Sequence, residues 1–221
     1  EQVRFPDEEK VTSAILRVVE EGERVVYVLT GHGEYSLEET GQRSLGRMAS
    51  ELAGLGVLVK TLNLAELKAV PGDAAAVIVA GPYKDFLPHE LEILDKYFET
   101  GGRLFMAYEP LAQENNFDTW MVERTGIGIK RGIIVDETGF IALGNPVMVM
   151  ALEYEDHPIS RGVVQSTVMP MAGALSTDGR AEAFPLALTS DRSILKTDIS
   201  PGEEINLEFV PEQDQLGPFV V

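Results

Sequence analysis

The apolar residues Val11, Ala14, Ile15, Val18 and Val19 recur at i, i+3, i+4, i+7 and i+8, the rhythm of a helix with one apolar face. Asp7 offers an N-terminal cap and Gly22 an exit, so the pattern predicts a first helix there. Residues 24–30 read RVVYVLT, a β-branched run with little alternation, which predicts a strand covered on both faces. Gly31, His32 and Gly33 break it. Leu45, Met48, Ala49 and Leu52 predict a second amphipathic helix, stopped by Gly54 and Gly56 ahead of a strand at Val57–Leu62. The pattern then repeats. Ala74–Ala80 is a fully apolar strand, and Pro88 opens a helix carrying Leu91, Leu94 and Phe98. A strand over residues 103–108 follows, then a short helix over 116–125 and a strand over 132–135.

Strands alternating with helices of this length predict an α/β fold: an open, mostly parallel sheet with helices on both faces and right-handed crossovers. After Asp136 the texture changes. Glycines and prolines from Gly139 to Pro185 punctuate short β-leaning runs such as 147–152 and 163–169. The expected organisation is therefore an α/β sheet domain over residues 1–138 and a strand-rich extension over 139–221, packed on the same domain. The opening EQVRF and the closing apolar GPFVV suggest a fragment of a longer chain.

Composition narrows the function classes. The 221 residues include 36 acidic and 18 basic side chains, for a formal charge of -18, with 44% hydrophobic residues. This charge argues against nucleic acid and acidic membrane surfaces, since binding phosphate depends on Lys and Arg. With no cysteine, thiolate catalysis, thiolate zinc sites and iron-sulfur clusters are excluded. No apolar stretch approaches the roughly 18 residues of a membrane span.

In an open parallel sheet, ligands bind beyond the carboxyl ends of the strands, where strand order reverses. This selects His32, Gly33 and Glu34 after the first strand, Gly81 and Tyr83 after the third, and Glu109 after the fourth. His32, Glu34 and Glu109, with Asp136 as a further ligand, form a possible metal-assisted or acid/base hydrolase set. The alternative is a turn in which the glycines supply special dihedrals and His32 bonds backbone. No GxGxxG or GxxxxGK[ST] sequence is present to cradle phosphate, and no GxSxG elbow to carry a nucleophile. Gly81-Pro82 occupies the strand-to-helix turn where such a nucleophile would sit. His89 reads as a surface residue, His157 as a turn residue ahead of Ser160, and Trp120 with Phe117 and Met121 as core.

Six strings occur in order: VVYVLTGHGE from Val25, VPGDAAAVIVAGP from Val70, the helix from Pro88 followed by GGRLFM, IIVD from Ile133, GNP at Gly144, and HPIS at His157. Together they resemble the auxiliary component of an uncharacterised ABC-type transport system, a family that includes gliding-motility-associated ABC transporter proteins of the Gld type. The chain also looks similar to the class I glutamine-amidotransferase-like, or flavodoxin-like, sheet that intraflagellar transport proteins use without catalysis. The resemblance implies a non-enzymatic extracytoplasmic domain, anchored by membrane helices outside this chain. Its partners would be an ABC permease and a separate ATPase, and it implies no cofactor, no resident metal and no catalytic residues. His32, Glu34 and Asn145 lie within the resembling strings, and with Gly33, Gly81, Tyr83 and Glu109 they are the candidate ligand- or partner-binding positions.

Overall fold

The computed structural model describes residues 24–41, 43–151, 153–163, 165–179, 183–199, 205 and 207–221. The helix predicted from Asp7 to Val19 lies outside the described residues. Two compact units make up the chain, Glu1–Ala107 and Tyr108–Val221. The change of texture after Asp136 thus falls inside the second unit.

In the first unit the chain forms β1 (Arg24–Leu29), α1 (Gly46–Gly54), β2 (Val57–Leu62), β3 (Ala74–Ala80), α2 (Pro88–Glu99) and β4 (Leu104–Ala107). The four strands form one parallel sheet in the order β2-β1-β3-β4. Val28 lies opposite Thr61 on one side and Ile78 on the other, so the central pair β1 and β3 is buried where both faces are covered. Val28, Ile78 and Ala80 form a core cluster on one face, against which Leu45, Met48 and Val59 pack. Proline at the first position of α2 fixes its start, since its missing N–H would be unsatisfied there in any case. The buried stripe of α2 is Glu90, Ile93 and Leu94, and Phe98 is left exposed.

The second unit contains α3 (Asn116–Thr125), β5 (Ile127–Lys130), β6 (Ile133–Asp136), α4 (Glu137–Leu143), β7 (Met148–Ala151), β8 (Glu153–Tyr154), β9 (Thr167–Pro170), β10 (Ala174–Thr177), β11 (Ala187–Leu188), β12 (Ser193–Lys196) and β13 (Gln215–Leu216). Among the described residues all of its strand pairings are antiparallel: β5 with β10, β7 with β9, β8 with β11, and β6 and β13 with β12. This corrects one expectation. The IIVD strand does not extend the parallel sheet but pairs antiparallel with β12. An unbroken apolar run reports burial on both faces, which β6 has along its whole length, and says nothing of the direction of the partner.

Ile134, Val149, Ala174, Leu195 and Phe219 form the core cluster of this unit. Phe117, Trp120 and Met121 of α3 are also buried. At the start of α3, the Asn115 side chain accepts from the N–H groups of Phe117 (2.9 Å) and Asp118 (3.3 Å), while Asp118 accepts from the Asn115 N–H at 3.1 Å. Three otherwise unsatisfied N–H donors are thereby satisfied by two reciprocal side chains. None of the four helices among the described residues is long and apolar enough to cross a membrane.

A buried ion pair ties β12 to the segment before β13. Lys196 Nζ donates to Asp214 Oδ2 at 2.6 Å and to the Glu208 carbonyl at 2.8 Å, and the Val210 N–H donates to the same carboxylate oxygen at 2.7 Å. Removing the cation strands a carboxylate in a site where it is 2% exposed. Lys196→Met is expected to lose about 3–5 kcal/mol in urea denaturation. Adding Asp214→Asn should return part of that loss, because a neutral amide is less costly to bury than an unpaired charge. A single variant as stable as the parent would show that the pair does not hold this segment.

Candidate functional site: a buried imidazole clamp at the strand ends

β1 connects to β2 on one side and β3 to β4 on the other, so strand order reverses between β1 and β3. The loops leaving these two strands meet at their carboxyl ends. The His32 carbonyl accepts from the N–H groups of Tyr83 (3.0 Å) and Lys84 (3.1 Å), and the Tyr35 N–H donates to the Ala80 carbonyl at 2.9 Å. Arg43 bridges the two loops from the segment ahead of α1. Its Nη2 donates to the Gly33 carbonyl at 3.1 Å and the Gly81 carbonyl at 2.7 Å, and its guanidinium lies 4.3 Å from the Tyr35 ring centre and 5.4 Å from that of Tyr83.

His32 is 5% exposed and held from both sides. Its Nδ1 lies 3.0 Å from Glu34 Oε1 and its Nε2 lies 2.9 Å from Glu90 Oε2. Neutral imidazole has one N–H and one lone pair, so it can donate to only one of two flanking carboxylates; imidazolium donates to both. Phe86 stacks on the ring with centroids 3.7 Å apart and planes 8° from parallel, which adds a cation–π contact. Glu34 Oε2 also accepts from the His32 N–H at 2.7 Å, and Glu90 Oε2 from the Leu87 N–H at 2.8 Å. The ring therefore joins the loop after β1 to the first turn of α2.

Burial pushes the His32 pKa down, but the hydrogen bonds and charges of Glu34 and Glu90 outweigh it, and the net shift is upward. Burial likewise pushes Glu34 up, and its hydrogen bonds to the His32 ring and to backbone N–H groups outweigh that, for a net shift downward.

Gly33 has φ of +83°, and a Cβ there would meet the Tyr83 ring at 2.1 Å. Its backbone therefore lies directly against that ring. Gly81 also has positive φ, +60°, and its N–H donates to the Ala107 carbonyl at 2.7 Å. Outside this layer Tyr83 is 52% and Leu87 51% exposed, and Lys84 is exposed beside them with its Nζ 5.8 Å from the Tyr83 ring centre. The arrangement is a rigid buried clamp beneath an open aromatic and cationic surface.

His32, Gly33, Glu34, Gly81 and Tyr83 are thus brought together by the first unit, whereas Glu109 and Asn145 belong to the second. The Glu109 carbonyl accepts from Arg131 at 3.3 Å, and the exposed Asn145 side chain accepts from the Val147 N–H at 3.1 Å, shaping the turn after α4. Asp136 caps α4 by accepting from the Thr138 N–H at 2.8 Å. His89 is exposed, 3.4 Å from the Ala65 carbonyl, and the His157 ring accepts from the Ile159 N–H at 3.2 Å in the turn that holds Ser160. With both ring nitrogens of His32 facing carboxylates, the imidazole has no lone pair to offer a metal or a nucleophile. Among the described residues no group of three or more His, Cys, Asp or Glu side chains is arranged to hold a metal ion.

Glu90, Phe86 and Arg43 were not picked out by the sequence. For Glu90 a signal exists: it stands three and four positions before the buried Ile93 and Leu94, on the same helix face, and at the third helical position after a proline start.

A four-stranded parallel sheet with helices between its strands, its strand-end loops clamped by His32, defines the first unit as an α/β domain. The model of the family described as ABC-type uncharacterized transport system matches residues 23–220, and the chain belongs to that family. Among solved structures, the mmIFT52 N-terminal domain is similar in fold, with a TM-score of 0.55 and 20% identity, covering 75% of this chain and 73% of that one. A ThuA-like protein from Bacteroides uniformis ATCC 8492 gives a TM-score of 0.47 at 14% identity, covering 76% of this chain and 68% of that one. No curated protein sequence matches the chain.

The clamp makes a pH dependence with a definite sign. Because the His32 pKa is raised on folding, its contribution to stability is complete below the ordinary histidine value of 6.5 and is lost as pH rises through the elevated folded value. The Glu34 pKa is lowered, so its contribution is complete above 4.5 and lost as pH falls through the depressed value. Urea midpoints of the parent should therefore fall as pH is raised above 6.5. His32→Gln should flatten this fall. In NMR titrations Glu34→Gln is expected to lower the His32 pKa, because a hydrogen bond and a charge that hold it up are removed; an unmoved titration would remove Glu34 from the clamp.

Proposed function

We propose that this chain is a non-enzymatic extracytoplasmic auxiliary domain of an ABC-type transport system. The observation that carries this reading is the family match over residues 23–220. In it, the chain works beside a permease and a separate ATPase and is held at the membrane by segments outside residues 1–221, in the manner of the gliding-motility-associated type. The first unit acts as an amidotransferase-like sheet without catalysis. Gly81-Pro82 stands where a nucleophile would be needed, and the only buried histidine of the strand-end loops is committed to two carboxylates. Binding of a partner subunit or ligand uses the surface above the clamp, where Tyr83, Lys84 and Leu87 are exposed. Any coupling to ATP hydrolysis elsewhere comes from a difference in affinity for this surface between two transporter states.

Affinity purification of the full-length parent from detergent-solubilised membranes should recover an ABC permease and an ATPase in stoichiometric amounts. Lys84→Glu, at an exposed position, should reduce that recovery without lowering thermal stability. Because residues 1–221 contain no cysteine, Ile159→Cys, at a position 72% exposed, adds one label site to this segment, read against the parent without the substitution. A maleimide that cannot cross the inner membrane should react with it in intact cells. A protein that arrives alone and soluble would overturn the transporter reading; labelling only after lysis would overturn the extracytoplasmic location.

A further inference from the structure

In the second unit β6 ends at Asp136 beside a cavity of about 270 Å³, well away in sequence from the clamp. Its wall is mostly apolar, from Val135, Phe140, Pro146, Ile194 and Leu207. The charged part of the wall is Asp136 together with the Glu137–Arg192 ion pair, closed at 3.0 Å. Asp136 is 1% exposed, and its two carboxylate oxygens are treated differently. Oδ1 accepts from the Thr138 N–H at 2.8 Å and from the Ser190 hydroxyl at 2.9 Å. Oδ2 is buried and, among the described residues, has no hydrogen-bond partner.

A half-satisfied carboxylate in an apolar wall selects its ligand by elimination. Arg192, the cation of this wall, is paired with Glu137 and acted on by Asp191, so its charge is offset and that of Asp136 disfavours anions. A neutral hydroxyl could donate to Oδ2 but leaves the charge uncompensated in an apolar setting. A protonated amine supplies both a donor and a charge, and charge-assisted bonds are the stronger kind. Phe140 adds an aromatic face, the usual companion of a carboxylate in recognising ammonium groups. We propose that this cavity binds a small alkylammonium group, with an N–H donated to Asp136 Oδ2 and the alkyl body against Val135, Pro146 and Ile194. Oδ2 is closed to solvent in this conformation, so the ammonium reaches it only when a rim side chain moves aside; Phe140 and Leu207, 51% and 45% exposed, are the ones placed to do so. The same group can be presented by a free amine or by a lysine side chain of another protein.

The test is an NMR titration of the intact chain at constant ionic strength with pentylammonium chloride, with 1-pentanol as the neutral control and acetyl-lysine methylamide as the lysine-borne source. Pentylammonium should give saturable shifts at the Thr138 and Ile194 amides, with pentanol weaker by about tenfold or more. Asp136→Asn keeps the cap of α4, since asparagine caps as well as aspartate, and should weaken pentylammonium by about tenfold or more. Phe140→Ala, at an exposed position, should weaken it by about threefold. Tighter binding of pentylammonium than of the lysine derivative points to a free amine, and the reverse to a lysine side chain; each supports the site. Equal affinity for alcohol and ammonium, or no saturable shift, would overturn it. So would undiminished binding by Asp136→Asn, and should that variant fail to fold, the alcohol control and Phe140→Ala decide.

Discussion

A charged ring buried between two carboxylates is stable only if all three groups stay in place. Taking His32 out of water is costly, and so is burying Glu34 and Glu90, each with a side chain 1% exposed. The mutual attraction offsets those costs only at the observed separations of 2.9 and 3.0 Å. That requirement positions the first turn of α2 against the loop after β1. It also lets the His32 carbonyl meet the N–H groups of Tyr83 and Lys84, which joins the loop after β3 to the same assembly. Arg43 completes it by using one nitrogen for two carbonyls while its plane lies against two tyrosine rings, a geometry a lysine ammonium does not reproduce.

The second unit solves a similar problem with other residues. Its short antiparallel pairs leave much chain in connections, and buried or half-buried ion pairs hold these down. Lys196 with Asp214 fixes the approach to β13, and Arg131 with Asp118 joins the segment before β6 to α3. In a chain with 36 acidic and 18 basic side chains, Arg43, Arg131 and Lys196 are thus engaged internally rather than displayed. An acidic exterior follows, which repels anionic surfaces and favours partners with exposed basic groups.

Much of the first unit was legible in its sequence because its signals are local. The bounds of β2 and β3 follow directly from apolar runs between glycines and prolines, and the start of α2 from Pro88. What is not local was missed or misdirected. Periodicity placed the buried face of α2 on leucine and phenylalanine, because a glutamate reads as solvent-facing until its partner is known. Glu90 is buried for the sake of His32, 58 positions away. The partner direction of β6 depends on β12, more than fifty residues later, and an apolar tetrapeptide carries no trace of it. The short β5 follows Gly126 immediately and alternates too briefly to register. Asn145 and Glu109 show the converse: residues with chemistry to offer that the fold uses for a turn and for a carbonyl contact.

The backbone of Gly33 under the Tyr83 ring separates two layers with different tolerances. Below, the ring and both carboxylates are held by hydrogen bonds, and at Gly33 even a methyl group has nowhere to go. Above, Lys84 and Leu87 are exposed, and Tyr83 turns one face to Gly33 and Arg43 while about half of it stays open. Anchor and surface are therefore separable at Lys84 and Leu87, so descendants of this chain can exchange those two side chains while the foundation, with Tyr83 as its cover, keeps its form.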